Sequence, residues 1–483
     1  MSLFGKGAGS FLAACLLWFP GVCSLEAATK VAVIGDSISV GSGAENPREQ
    51  GYAAQMAALL GDKYDVEVFA LGGHTLLQKT SASLMKKPIY QKALQFAPDV
   101  AVVMLGTNDS SSGRRPFWQH HEDLRPDLLS MISDLRKANP EVLVHVAGPP
   151  PMYPDKSGLK EERVADLTQR REHLKVVRSV FRQIAEEESN VIAHDLSRAL
   201  SPEETTDGVH PTTAGHKRLG SHMAELLQTA FDEGFSIQKK LPDSRVGEFH
   251  GFQRYDFALD EMATTVVVPR QARQGRPWVW RARFFGHQPA LDLQLLDRGW
   301  HLVYCDVKNL YGSDEAMTRW DRCHRFMTKS GLSSKPVLEG MSRGGLPIFR
   351  WASLNPDKVS AVYGDNPVCD FRTWPGGEGS KGSPGDWKRL LEAWGISEEE
   401  GRKHPQVVDW LEPMAKAGLP VALVMGLKDE VVPPVTNGQE VAEKYQELGG
   451  PVKVWTKPED GHHPHGLHPP DELRQFLVEA AGY

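Results

Sequence analysis

Short runs of β-branched residues alternate with amphipathic stretches along this chain, and this alternation constrains its fold most strongly. In the first half, the predicted strands are Lys30–Ile34, Val66–Leu71, Asp99–Leu105, Val142–Ala147 and Val191–His194. Helical periodicity fills the intervals, most clearly at Glu122–Ala138, Leu159–Glu188 and Thr212–Phe231. Strands that alternate with helices form parallel sheets covered on both faces. The first half is therefore predicted to be an α/β domain.

The second half repeats this alternation without repeating any motif of the first. Its predicted strands are Thr264–Val268, Trp278–Phe285, His301–Asp306, Val337–Glu339, Val359–Tyr363, Val421–Met425 and Val452–Thr456. Between the halves, apolar periodicity is lost, and Gly234 and Pro242 interrupt the chain. Because 483 residues exceed what one hydrophobic core usually serves, we predict two domains, at 29–232 and 246–483, with a linker at 233–245.

The first 28 residues are typical of a secretory signal peptide. Lys6 precedes an apolar run at Phe11–Phe19, and the small residues Ala27 and Ala28 follow it. The alternative is lipidation at Cys15, since Leu-Ala-Ala-Cys is similar to a bacterial lipoprotein box. No later apolar run approaches the roughly 20 residues of a spanning helix. We therefore expect a secreted or periplasmic protein with no integral membrane segment after removal of the leader.

Charge and cysteine content exclude further classes. The net charge of −7 argues against a nucleic-acid partner, which would need a concentrated basic face. Without the leader, the cysteines are Cys305, Cys323 and Cys369. This odd set predicts no disulfide framework.

The first half carries a candidate catalytic set at the ends of its predicted strands. Ser37 follows the first strand directly, where open α/β sheets place their ligand crevice. Asp207 and His210 share one loop before the last helix. In this arrangement His210 accepts the proton of Ser37, and Asp207 orients the imidazole. The Asn108 amide and the N–H groups of Gly73 and Ser37 are the candidate oxyanion donors.

These residues resemble the SGNH, or GDSL-like, hydrolase family, whose four naming positions match Ser37, Gly73, Asn108 and His210. The resemblance covers about residues 29–231. It implies a flavodoxin-like three-layer sandwich and ester hydrolysis. Gly72 is the alternative glycine, because it directly precedes Gly73.

The second half carries a nucleophile elbow of the form G-x-S-x-G, with Ser342 at its centre, after a predicted strand. The candidate acid is Asp429, with Asp365 as the alternative. The candidate base is His462, with His463 and His465 as alternatives. Ser, then Asp, then His is the order of the α/β-hydrolase family, which this half resembles over about residues 246–483.

Arg343, next to the second nucleophile, has two predicted roles. Its N–H, with one near Arg281, would form the oxyanion hole. The elbow also resembles the Gly-Cys-Ser-Arg elbow of glucuronoyl esterases, although Met341 replaces the cysteine. That resemblance implies that the Arg343 side chain binds a uronate, for which a planar guanidinium is suited.

The histidine cluster at residues 462–468 lacks a cysteine or carboxylate partner in the sequence, and we predict no metal site there.

The two sets together predict an exported two-domain serine esterase that acts on an acylated or esterified carbohydrate. The first site would remove acyl groups, and acetyl is the preferred candidate. No cofactor is expected, because the serine itself forms the covalent intermediate. One alternative is a lipid or thioester hydrolase. Another is a single active domain fused to a hydrolase-like module that binds glycan without turnover.

Overall fold

The computed structural model describes residues 28–229, 231–232 and 235–483. Residues 1–27, which make up most of the predicted signal peptide, lie outside this range, as do residues 233 and 234 of the predicted linker. The chain divides into two compact units between Ala224 and Glu225.

The first unit contains one five-stranded parallel sheet. Its strands are β1 (Thr29–Gly35), β2 (Tyr64–Ala70), β3 (Val100–Met104), β4 (Leu143–Gly148) and β5 (Val191–Asp195). Their order is β2-β1-β3-β4-β5, which is the flavodoxin-like order. Neighbouring residues of β1, such as Ala32 and Val33, point to opposite faces and are both fully buried. The predicted parallel sheet with both faces covered is confirmed.

Seven helices accompany these strands within the described residues, six of them between strands and the last one after β5. They are α1 (Ser37–Val40), α2 (Pro47–Gln50), α3 (Tyr52–Leu60), α4 (Pro88–Phe96), α5 (Leu124–Ala138), α6 (Glu161–Glu187) and α7 (Thr213–Gln228). Leu124, Leu128 and Met131 recur at helical spacing on α5 and are fully buried in the core. The predicted helices therefore pack by their apolar stripes.

The second unit contains a nine-stranded mixed sheet. Its strands are β6 (Arg245–Phe249), β7 (Phe252–Leu259), β8 (Met262–Val267), β9 (Trp278–Arg281), β10 (His301–Cys305), β11 (Val337–Met341), β12 (Ala361–Asp365), β13 (Val421–Gly426) and β14 (Val452–Lys457). The order is β14-β13-β12-β11-β9-β10-β8-β7-β6, with β14 to β10 parallel and β8, β7 and β6 antiparallel at one edge. Leu338 faces one apolar core and Val337 faces another, so both faces of the sheet are covered.

Two antiparallel strands of this sheet, β6 and β7, were not predicted. Charged residues such as Arg254 and Asp256 lie on β7 and pair with each other, and Val246 of β6 is 62% exposed. Of the two, only β6 is an edge strand, but both strands carry exposed or polar residues that interrupt the apolar alternation on which the prediction depends. In addition, β9 ends at Arg281, earlier than the predicted Phe285.

Eight helices lie in the described part of the second unit. They are α8 (Ala290–Asp297), α9 (Asp314–Lys329), α10 (Gly345–Leu354), α11 (Pro384–Trp394), α12 (Glu398–Lys403), α13 (Leu411–Lys416), α14 (Gly438–Glu447) and α15 (Asp471–Ala480). Four tryptophan rings pack together where β9 meets α9 and α10, three of them stacked and Trp351 edge-on. Trp280 lies 4.2 Å from Trp320, 5.2 Å from Trp278 and 5.3 Å from Trp351, measured between ring centroids.

A disulfide bond joins Cys305 at the end of β10 to Cys323 of α9. The expectation that the cysteines form no disulfide is therefore wrong. The prediction relied on the odd number of cysteines, but two of the three form a bond and Cys369 remains as a buried free thiol.

None of the described helices is both long enough and apolar enough to cross a bilayer.

Two candidate active sites

The first candidate site joins Ser37, His210 and Asp207. The Ser37 Oγ lies 2.9 Å from His210 Nε2, and His210 Nδ1 lies 3.0 Å from Asp207 Oδ2. Ser37 is the first residue of α1, directly beyond β1, and the two other residues share the loop before α7. The hydrogen-bonded chain runs from a hydroxyl through an imidazole to a carboxylate, as nucleophilic catalysis requires.

The backbone fixes which oxygen of Asp207 faces the histidine. Oδ1 accepts hydrogen bonds from the N–H groups of Val209, at 3.1 Å, and His210, at 2.8 Å. Oδ2 is therefore left for His210 Nδ1. Partial burial raises the pKa of Asp207, but the hydrogen bonds from the His210 side chain and backbone outweigh burial and hold the pKa below its ordinary value. Asp207 is thus held as the anion that faces the imidazole.

The predicted oxyanion donors surround the end of β1. The Asn108 Nδ2 donates to the His74 carbonyl at 2.9 Å and to Asp36 Oδ2 at 3.4 Å, so an oxyanion would take over the longer of these two bonds. Gly73 has a φ of 74°, a left-handed conformation that glycine adopts without strain. Within the described residues, the N–H groups of Ser37 and Gly73 donate to no acceptor, and they remain available to an oxyanion. An ideal Cβ on Gly72 would lie 3.7 Å from Ser37 Cβ, so Gly72 adjoins the nucleophile, whereas a Cβ on Gly73 would meet the Arg115 guanidinium.

Two buried carboxyl groups lie next to these residues in sequence. Asp36 Oδ1 accepts from the Ile38 N–H at 3.0 Å, and Asp109 Oδ1 accepts from the Leu77 N–H at 2.9 Å. Both side chains are fully buried, and this burial raises the pKa of each to about 6. Asp109 Oδ2 has no hydrogen-bond partner among the described residues. Sequence reasoning did not assign these two acids a role.

We expect Asp109→Asn to change how stability depends on pH. A carboxyl whose pKa is raised in the folded state stabilises the fold below its unfolded pKa, and this contribution is lost as the pH rises through about 6. The asparagine does not ionise. The parent therefore loses stability as the pH rises, whereas the variant does not. The difference in free energy of unfolding, variant minus parent, should increase by on the order of 3 kcal/mol between pH 4 and pH 8. Urea unfolding of both proteins at four pH values measures this increase. A difference in free energy of unfolding that is the same at all four pH values would contradict the prediction.

The second candidate nucleophile stands on a strained turn. Ser342 follows β11 with a φ of 48°, which an L-residue adopts only when its surroundings enforce it. The turn is so tight that an ideal Cβ on Gly340 would lie 2.4 Å from the Gly344 carbonyl oxygen. Helix α10 then begins at Gly345, so the positive end of its dipole adjoins the serine.

The second site repeats the hydrogen-bond chain of the first. The Ser342 Oγ lies 3.0 Å from His462 Nε2, and His462 Nδ1 lies 2.7 Å from Asp429 Oδ2. Asp429 Oδ1 accepts from the N–H groups of Val431, at 2.9 Å, and Val432, at 2.8 Å. Asp207 and Asp429 are therefore oriented in the same way, by backbone N–H groups two and three residues further along the chain that donate to Oδ1.

The alternative residues of the second site pair with each other instead. The Asp365 Oδ1 lies 3.2 Å from His465 Nδ1, and Asp365 Oδ2 accepts from the Tyr363 hydroxyl at 2.9 Å. His463 is exposed. Ser342 thus contacts His462, and neither Asp365 nor His465 enters that chain.

The backbone donors near Ser342 differ in part from the expectation. The N–H of Arg343 donates to no acceptor within the described residues. Near Arg281, the N–H of Ala282 is used by the Glu339 carbonyl, at 2.8 Å. The first free N–H beyond β9 belongs to Arg283, which lies 3.8 Å from an ideal Cβ on Gly344. Because the strand was predicted to continue to Phe285, the N–H of Arg283 was not recognised as a candidate oxyanion donor.

The Arg343 guanidinium stands over an aromatic ring beside the nucleophile. Its centre lies 4.7 Å from the Trp374 ring centroid, and its Nη1 donates to Asp386 at 3.0 Å. Its Nε is buried without a hydrogen-bond partner among the described residues. Partial burial raises the pKa of Asp386, but hydrogen bonds from Tyr311, Arg389 and Ser383, with the charge of Arg343, hold it below its ordinary value. Arg343 is thus anchored on one side and retains an unused donor.

Comparison with known proteins identifies the class of the first unit. Residues 33–218 match the GDSL-like Lipase/Acylhydrolase family, so the first half of the chain carries a GDSL-like acylhydrolase domain. A similar protein is an acetylxylan esterase from Xylanibacter ruminicola, with 30% identity over 222 residues. The match covers 42% of this chain and 43% of that enzyme, so the chain spans less than half of its relative. The family and this relative support an ester hydrolase.

Several solved structures are each similar to part of this chain. Est24, a carbohydrate acetylesterase from Sinorhizobium meliloti, is 22% identical with a TM-score of 0.33, over 41% of this chain and 98% of its own. Est1E from Butyrivibrio proteoclasticus is 20% identical with a TM-score of 0.37, over 48% of this chain and 99% of its own.

Proposed function

We propose that this protein is an exported two-domain serine esterase that removes ester groups from a carbohydrate. The observation that carries the proposal is the chain from Ser37 through His210 to Asp207, within residues that match an acylhydrolase family. The acetylxylan esterase relative favours an acetylated glycan as the substrate of the first site. The predicted leader is the basis for a secreted or periplasmic location.

In the first site, catalysis proceeds through an acyl-enzyme. The Ser37 Oγ attacks the ester carbonyl while its proton passes to His210 Nε2, and Asp207 stabilises the imidazolium. The N–H groups of Ser37 and Gly73 and the Asn108 amide hold the oxyanion. His210 then gives its proton to the leaving sugar oxygen. Water, deprotonated by His210, attacks the acyl carbonyl and releases the free acid and Ser37.

The second half is proposed to use an α/β-hydrolase fold and the same chemistry with other residues. Ser342 is the nucleophile, His462 the base and Asp429 the orienting acid, with the N–H groups of Arg343 and Arg283 as oxyanion donors. The shared backbone grip on Asp207 and Asp429 supports equal roles for the two acids. The partly exposed Arg343 guanidinium beside Trp374 supports a uronate or its ester as the substrate.

The test compares four forms of the chain on two polymers. Wild type, Ser37→Ala, Ser342→Ala and the double variant are assayed for acetate release from acetylated xylan and methanol release from methyl-esterified polyuronate. Ser37→Ala should abolish acetate release, because the residual rate without a nucleophile is at least about a thousandfold lower. Ser342→Ala should abolish methanol release only. If Ser37→Ala, and not Ser342→Ala, abolished both activities, the second half would be interpreted as a non-catalytic glycan-binding module.

An acyl-chain series on the same variants addresses the lipid alternative. The proposed esterase should prefer acetyl esters to long-chain esters at both serines. Faster hydrolysis of long-chain or thioester substrates by either site would contradict the carbohydrate assignment of that site.

A further inference from the structure

Three histidines of one loop converge beside the second nucleophile. Nitrogen atoms of His462, His463 and His465, one from each ring, all lie within 4.8 Å of one another. The ring centroids of His465 lie 4.8 Å from those of both neighbours. We refer to these three residues as the histidine triplet. Imidazole nitrogen is a preferred ligand of Zn²⁺ and similar transition metals.

A second observation concerns the buried pair of His465 and Asp365. Their side chains are 3% and 0% exposed, and the hydrolytic mechanism uses neither. Asp365 faces Nδ1 of His465, just as Asp429 faces Nδ1 of His462. Histidines that bind metal almost always hydrogen-bond a carboxylate or carbonyl through their other nitrogen. In both imidazoles a carboxylate already faces Nδ1, so Nε2 is the nitrogen that would bind the ion, and His462 would give up its contact with the Ser342 Oγ to do so.

The third imidazole is free to complete the set. His463 is exposed, and its ring nitrogens take part in no hydrogen bond with any described residue. Tetrahedral zinc with bonds of about 2.0–2.1 Å needs nitrogens about 3.4 Å apart. The nitrogens must therefore approach one another by up to about 1.4 Å, and exposed His463 is the member with the most freedom to rotate, while water can fill the fourth position.

We propose that the histidine triplet binds a divalent transition metal ion of the zinc type, and that this ion reversibly inhibits the second site. The inhibition rests on the proposed catalytic role of Ser342. The Nε2 of His462 has one lone pair and lies 3.0 Å from the Ser342 Oγ. A metal bound at that nitrogen displaces the hydroxyl hydrogen bond and removes the base that accepts the serine proton.

A binding experiment tests the site without reference to catalysis. Full-length chain, freed of metal with a chelator, is titrated with Co²⁺, whose visible absorption reports imidazole ligation in a tetrahedral site. Wild type should bind one ion per chain, and His463→Gln should weaken binding at least about tenfold. His250→Gln, which removes an exposed histidine outside the triplet, should bind as wild type does. Absence of the absorption, or equal affinity in His463→Gln, overturns the proposal.

An activity experiment tests the inhibition. In a Ser37→Ala chain, Zn²⁺ should lower Ser342-dependent turnover at least tenfold, and chelator should restore it. The first site, measured in a Ser342→Ala chain, should keep its turnover at the same Zn²⁺ concentration. His463→Gln should retain turnover in metal-free buffer and require at least tenfold more Zn²⁺. Cobalt binding without inhibition by Zn²⁺ overturns the inhibitory role.

The two experiments separate failure of this inference from failure of the proposed function. If the Ser37→Ala chain is inert even without metal, the catalytic role of Ser342 fails. The Co²⁺ titration then still decides whether the triplet binds metal.

Discussion

Asp207→Asn should lower the turnover of 4-nitrophenyl acetate by the first site about 10⁴-fold. The asparagine Oδ1 can keep both backbone hydrogen bonds that Asp207 Oδ1 accepts, from Val209 and His210. Its amide nitrogen then faces His210 Nδ1 and donates to it. The imidazole proton must move to Nε2, which can no longer accept the proton of Ser37. The loss thus follows from an inverted tautomer in an otherwise unchanged site.

The measurement uses a Ser342→Ala chain so that only the first site contributes. Asp62→Asn, at an exposed aspartate before β2, is the matched control and should keep full turnover. Circular dichroism verifies that both variants fold. A loss of less than tenfold in folded Asp207→Asn would contradict the proposed role of Asp207.

Gly340→Ala should disrupt the second site and destabilise the chain by about 2 kcal/mol or more. The new Cβ would lie 2.4 Å from the Gly344 carbonyl oxygen and 2.8 Å from Ile348 Cδ1. The first of these is a backbone atom of the turn itself, so relief requires the turn to open. Opening the turn moves Ser342 away from His462.

Two readouts check this prediction. The free energy of unfolding in urea should fall, and labelling of Ser342 by a fluorophosphonate in a Ser37→Ala chain should drop at least about a hundredfold. The matched control is Gly247→Ala on β6, where a Cβ would meet no atom within 4 Å. It should change stability by less than about 0.5 kcal/mol. Equal behaviour of the two variants would show that the turn tolerates a side chain.

The sequence was most informative where local pattern and chemistry coincide. Buried parallel strands are short β-branched runs, so the five strands of the first sheet were predicted close to their observed bounds. The residues of each predicted triad follow such strands, and parallel strands end at one edge of a sheet. This explains why the structure brings Ser37 to His210 and Ser342 to His462.

The features that were missed depend on distant packing. The disulfide needs β10 and α9 to lie side by side, which no count of cysteines reveals. The pairing of His465 with Asp365 joins a loop after β14 to the end of β12. The free N–H of Arg283 depends on where β9 ends, and strand ends carry a weak signal because the apolar run continues beyond Arg281.

The stacked tryptophans of the second unit have an optical consequence. The chain has twelve tryptophans, and Trp118 is the single one between residues 28 and 224. Indole emission is therefore dominated by the second unit, where Trp280 and Trp320 are 4.2 Å apart and share excitation. During thermal unfolding, a transition in far-ultraviolet ellipticity that leaves the tryptophan emission spectrum nearly unchanged therefore reports the first unit. The unfolding of the two units can thus be followed in one sample without labels or truncation.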